Sequence, residues 1–146
     1  YERGKDIQRI LKDHLSQRER LRGGGGTRPE AELKGPDTCE IPELFFDHIL
    51  VEFKLNRMEI MVLMFLYRHV WCRPNLYREH GISPMFELSK VGKELHLSMN
   101  ELYTALRKLE DLGFISTIRS GQYFVRKYFQ KDFDEHYKQT YGDFEV

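Results

Sequence analysis

A mainly α domain with one small β-hairpin, an α+β fold, is expected of this 146-residue chain on three observations. Two of them are capping boxes that open helices: Asn56 with Glu59, and Ser98 with Glu101. In each pair the first side chain accepts from the amide three residues on, and the glutamate reaches back to the amide of the first. The third is a hairpin pattern after the second helix. Residues 114–118 and 123–129 are rich in β-branched and aromatic side chains, and Arg119, Ser120, Gly121 and Gln122 join them through a glycine-containing loop. Hydrophobic residues make up 40% of the chain and aromatic ones 13%, which suits one folded domain with a real core plus an appendage.

The appendage comes first. Residues 5–22 predict an amphipathic helix with Ile7, Ile10, Leu11 and Leu15 in one stripe and Lys5, Arg9, Lys12, Arg18 and Arg22 on the other face. It either packs on its own domain or offers the stripe to a partner. Gly23, Gly24, Gly25 and Gly26 form a flexible tether, and residues 23–40 as a whole read as linker. A bare tetraglycine occurs naturally, and it also fits an engineered fusion in which residues 1–22 are a peptide ligand. The chain opens on Tyr1 rather than Met, which reads as a fragment.

The folded domain is expected over residues 41–146. Pro42 suits a first helical turn, and Leu44, Phe45, Ile49 and Leu50 give that helix a face to bury. The helix that Asn56 caps, residues 57–70, is apolar nearly all round, as the buried centre of a domain would be. Residues 71–84, with Pro74, Gly81 and Pro84, read as a long loop. Leu88, Val91 and Leu95 line a short helix in which Gly92 leaves room for a crossing helix. His96, Leu97 and Ser98 make a turn into a helix carrying Leu102, Ala105, Leu106 and Leu109, which Gly113 ends. After the hairpin, Phe133, Tyr137 and Tyr141 recur at spacing four, which predicts a final helix over 131–141 packed on its own domain.

The central stretch resembles a winged helix-turn-helix domain. The residues that carry the likeness are Gly92 in the short helix, the Leu97–Ser98 turn, and Leu109 with Gly113, Phe114 and Ile115 leading into the hairpin. With the Ile41–Pro42 opening and the hydrophobic helix, residues 41–129 are similar to the amino-terminal domain of phage and plasmid replication initiators of the replication-protein-O type. The resemblance implies a DNA-binding module of a replication or transcription-regulatory protein, with double-stranded DNA as a partner. The helix after the turn would then present Asn100, Tyr103, Thr104, Arg107 and Lys108 to a groove, and the wing would add Arg119, Arg126 and Lys127, Arg119 at its tip. It also implies a homodimer through the terminal helix as an option. The alternative is an adaptor that holds residues 1–22 in an apolar groove through Ile7, Ile10, Leu11 and Leu15.

Composition sets bounds on these readings. Lys plus Arg and Asp plus Glu both number 23, whereas free-standing DNA-binding domains are usually basic. From Ser98 to Phe129 five basic residues face three acidic ones, a weak positive balance. No run approaches the ~18 apolar residues of a membrane span, and no signal peptide is present, so a cytoplasmic protein is expected. Cys39 and Cys72 lack a CxxC partner and read as two reduced thiols. With His69 and His80 they match no standard zinc spacing, so no metal is expected. No nucleophile motif, phosphate loop or paired carboxylate set stands out; the chain reads as a non-enzyme without cofactors.

Overall fold

The computed structural model describes residues 38–142. The expected stripe of Ile7, Ile10, Leu11 and Leu15 and the glycines 23–26 lie outside them. Cys39–Val146 forms one compact unit. It is mainly helical with a two-stranded antiparallel sheet, an α+β arrangement.

The first helix, α1, is a π-turn Phe45–Ile49 continued by one α-turn, Leu50–Glu52, and it buries Leu44, Phe45 and Ile49. Both boxes close as expected. At the first, the Glu59 amide donates to Asn56 Oδ1 at 2.8 Å and the Asn56 amide to Glu59 Oε1 at 3.0 Å. Helix α2, Arg57–Tyr67, follows, and it runs on through a π-helical segment, Arg68–Cys72. Val62, Leu63, Phe65, Leu66, Tyr67, Val70 and Trp71 are buried along it, so the core reading of this helix stands. Trp71 and Cys72 therefore belong to the helix rather than to the loop expected to start at 71.

Cys72 is also not a free thiol. It is disulfide-bonded to Cys39, with Cα atoms 5.3 Å apart, which corrects the expectation of two reduced cysteines. A sequence separation of 33 residues hides the pairing. It comes about because α1 and α2 fold back and bring the start of the domain to the end of α2. For the same reason residues 39 and 40, expected to be linker, are part of the domain.

The loop after α2 is ordered by Asn75, whose side-chain amide donates to Ile82 O at 2.7 Å. Residues 81–86 then run along the hairpin. Helix α3, Leu88–Leu95, ends on His96, which adopts a left-handed conformation, φ 56°. A Cβ on Gly92 would come within 3.0 Å of Leu97 O and 3.5 Å of Met99 Sδ, so the glycine permits the close approach of the turn and the next helix. Helix α4, Met99–Asp111, packs its buried Leu102, Ala105, Leu106 and Leu109 toward α2.

Strands β1, Ile115–Arg119, and β2, Gln122–Val125, pair antiparallel with Ile115 opposite Val125 and Arg119 opposite Gln122. The register slips between Thr117 and Arg119, which leaves Ile118 exposed. All four residues of β2 are buried, because its free edge is covered. Ser83 N donates to Tyr123 O and Val125 N to Gly81 O, each at 2.8 Å, and Ile82 bridges Phe124. The strand is shorter than the expected 123–129. Beyond Val125 the chain turns, with Phe129 at φ 72° and its ring stacked on Tyr67, centroids 5.0 Å apart.

The final helix, α5, covers only Lys131–His136, not 131–141. Lys138, at φ 58°, breaks it, so the three aromatic residues do not form one stripe. Tyr141 instead folds back onto Phe124 and Trp71. Its hydroxyl donates to Asp134 Oδ2 at 2.5 Å and accepts the Lys127 amide at 3.0 Å. Burial, then the bond to Asp134, pushes the Tyr141 hydroxyl well above the usual phenol range. Own-domain packing therefore takes up this segment, and a six-residue helix is left where a dimer helix was an option.

Candidate nucleic-acid interface

Helix α4 has one apolar and one free face. Ser98 fixes its start: the Glu101 amide donates to Ser98 Oγ at 3.1 Å and the Ser98 amide to Glu101 Oε1 at 2.9 Å. These bonds from Ser98, the backbone one foremost, hold the Glu101 carboxyl below its ordinary range. With the leucines turned inward, Asn100, Tyr103, Thr104, Arg107 and Lys108 are all exposed, as the sequence predicts. Among the described residues, none of Asn100, Thr104, Arg107 and Lys108 spends its side chain on a hydrogen bond or ion pair.

Two of the three acids of this helix are placed differently from its cations; the third, Asp111, is exposed at its last residue. Glu101 is held at the cap. Glu110 accepts the Thr117 amide at 3.0 Å and so ties α4 to β1. Both carboxylates thus serve backbone donors, Glu101 at the helix N-terminus, where the helix dipole also favours its charge, and Glu110 in the last turn.

The hairpin is only partly as expected. Arg119 is exposed beside the turn, and its Nε donates to Gln122 Oε1 at 2.9 Å, while Gln122 Nε2 donates to Ser83 O at 3.1 Å. A buried glutamine therefore aims the arginine and leaves its terminal nitrogens free. Sequence reasoning counted Gln122 only as a loop residue. Its signal was its place: a polar side chain between the turn glycine and an apolar run.

Arg126 and Lys127 do not join this surface. The Arg126 guanidinium is nearly buried, 3.1 Å from Asp134 Oδ2 and over the Phe124 ring. Asp134 also accepts the Tyr128 amide at 3.1 Å. Lys127 Nζ sits 5.6 Å from the Trp71 ring centre, and the residue lines a separate groove with Tyr67, Tyr128 and residues 39–43. Both were expected at the wing because the second strand was read four residues too far, to 129 rather than Val125. Of the five cations between Ser98 and Phe129, Arg107, Lys108 and Arg119 remain for an external partner.

Among the described residues no group of three or more His, Cys, Asp or Glu could hold a metal ion. His69 packs its ring between Phe65 and Phe86, and His80 Nδ1 lies 3.0 Å from Tyr141 O. No described helix is long and apolar enough to cross a membrane. No family model, curated protein or solved structure matches the chain. The adaptor alternative turns on residues 1–22, outside the described ones.

Proposed function

We propose that residues 41–141 are a winged helix-turn-helix module that binds double-stranded DNA, without enzymatic activity, within a replication-initiator or transcription-regulatory protein. α3 and α4 are the helix-turn-helix, α4 is the recognition helix, and the β1–β2 hairpin is a short wing completed by residues 81–83. One observation carries the reading. The exposed face of α4 holds Asn100, Thr104, Arg107 and Lys108 unspent, while Glu101 and Glu110 are drawn to backbone amides and Asp111, the third acid, is exposed at the last residue of the helix.

The cations left at this surface set the strength of binding. Three phosphate contacts, from Arg107, Lys108 and Arg119, would give a slope of log K against log salt of about −2.7. That is a modest dependence, in keeping with the neutral chain. Fluorescence anisotropy of the whole chain with a random-sequence duplex, from ~50 to ~200 mM salt, tests the reading. Binding that weakens with salt and is reduced by Arg107→Ala supports it; no binding at the lowest salt refutes it.

A further inference from the structure

Beyond binding DNA, α4 carries a pattern that selects bases. We infer that it reads one adenine and one guanine about three base-pair steps apart in a major groove, Asn100 taking the adenine and Arg107 the guanine. This rests on the DNA-binding reading above and adds a sequence requirement to it.

Spacing is the first support. Asn100, Tyr103, Thr104 and Arg107 stand at i, i+3, i+4 and i+7 of one helix, a single stripe, and all four are exposed. Seven residues fall about 20° short of two full turns, so Asn100 and Arg107 project the same way. Their separation along the axis is about 10.5 Å at 1.5 Å per residue. Base pairs rise about 3.4 Å each, so the two side chains span roughly three steps. Lys108 lies about 80° round the helix from Asn100 and is turned toward a groove wall, where phosphates are.

Chemistry is the second. A carboxamide offers a donor and an acceptor side by side, the pattern of adenine N6 and N7. A guanidinium offers two parallel donors, the pattern of guanine O6 and N7. Lys108 stands off the stripe, about 80° round the helix, and its compact point charge there is assigned to the phosphate backbone. Neither reading side chain has another partner among the described residues. No carboxylate stands in the stripe between the two readers: Glu101 and Glu110 are held at the helix ends, and Asp111 continues the stripe one turn beyond Arg107. Thr104, between the two readers, tolerates either base.

The test is selection of bound duplexes from a randomised pool by the whole chain, repeated with Asn100→Ala, Arg107→Ala and Lys108→Ala, with a thermal melt of each. The parent should enrich sites with an adenine and a guanine at one fixed gap. Asn100→Ala should lose the preference at the adenine and keep the guanine; Arg107→Ala should do the reverse. Each lost preference should be on the order of 5- to 150-fold against the other bases. Lys108→Ala should weaken all sequences alike and make the salt slope shallower by about one. If the parent binds duplex but enriches no such pair, or if all three variants weaken every sequence equally, α4 holds only phosphates and the inference is wrong. If the parent binds no duplex at all, both this inference and the DNA-binding reading fall.

Discussion

Replacing Cys39 by serine removes a covalent closure whose size the sequence separation sets. The bond joins residues 33 apart. In the loop-entropy relation a ring of that length takes about 12.5 cal/mol/K from the unfolded chain, or ~3.7 kcal/mol at room temperature. The closed form is otherwise undemanding, since the Cα atoms stand 5.3 Å apart in the folded domain, within the range disulfides span. For a domain of this size that loss corresponds to a melting temperature lower by about 15 °C. The assay is calorimetry of the parent, the parent with a thiol reductant, and Cys39→Ser. Reductant should bring the parent down to the variant, and the variant itself should not respond to reductant. Thiol titration of the unreduced native protein should find neither cysteine. Two reactive thiols in the native protein, or equal melting temperatures in all three samples, would restore the reduced pair that spacing alone suggests.

Arg126→Ala should lower stability by about 3–5 kcal/mol, since it strands the Asp134 carboxylate in the core, yet leave any DNA affinity of the folded protein unchanged. Arg107→Ala should do the opposite; urea melts read beside anisotropy separate the two. Gly92→Leu should cost about 1–3 kcal/mol because its side chain meets the Leu97 carbonyl, and an unaltered melt would take Gly92 out of the helix crossing. The pH profile supplies a further prediction. Burial above all, then Arg73 and Arg68, lowers the His69 pKa from 6.5 in the folded state. The unfolded chain therefore takes up the proton first, and stability is full above pH 6.5 and declines as pH falls toward the folded value. Melts of the parent and His69→Phe at several pH values should show a smaller acid-side decline in the variant, and parallel profiles would rule His69 out as a contributor.

Signals local to the chain were legible in advance. The boxes at Asn56 and Ser98, the glycines at 92 and 113 and the leucine stripe of α4 each act within a turn or two of themselves, so the helix starts and the free face of α4 could be read directly. What escaped is long-range. Asp134 looks like one more acid in a charged segment, and only the fold brings Arg126 and Tyr141 to it. That convergence explains why the expected terminal helix stops: Tyr141 bonds back to Asp134 and to the Lys127 amide, which an unbroken helix through 141 would not allow. The cover that residues 81–86 lay over β2 was equally hidden, because Pro84 and Gly81 punctuate it like a loop. The same blindness placed Arg126 and Lys127 on the wing.

The hairpin turn has a consequence for anyone wishing to label or lengthen this protein. Two-residue turns at the tip of an exposed ribbon are the usual place to splice in a tag. Here the Gly121 carbonyl accepts the Phe86 amide at 2.7 Å, and a Cβ at Gly121 would collide with the Phe86 carbonyl. The tip is therefore clamped to the segment that feeds α3, and an insertion there would pry the hairpin from that segment. Leu76, 94% exposed in the loop after α2, touches nothing that such an addition would displace. It is the position for a fluorophore that is to report on this domain without remaking it.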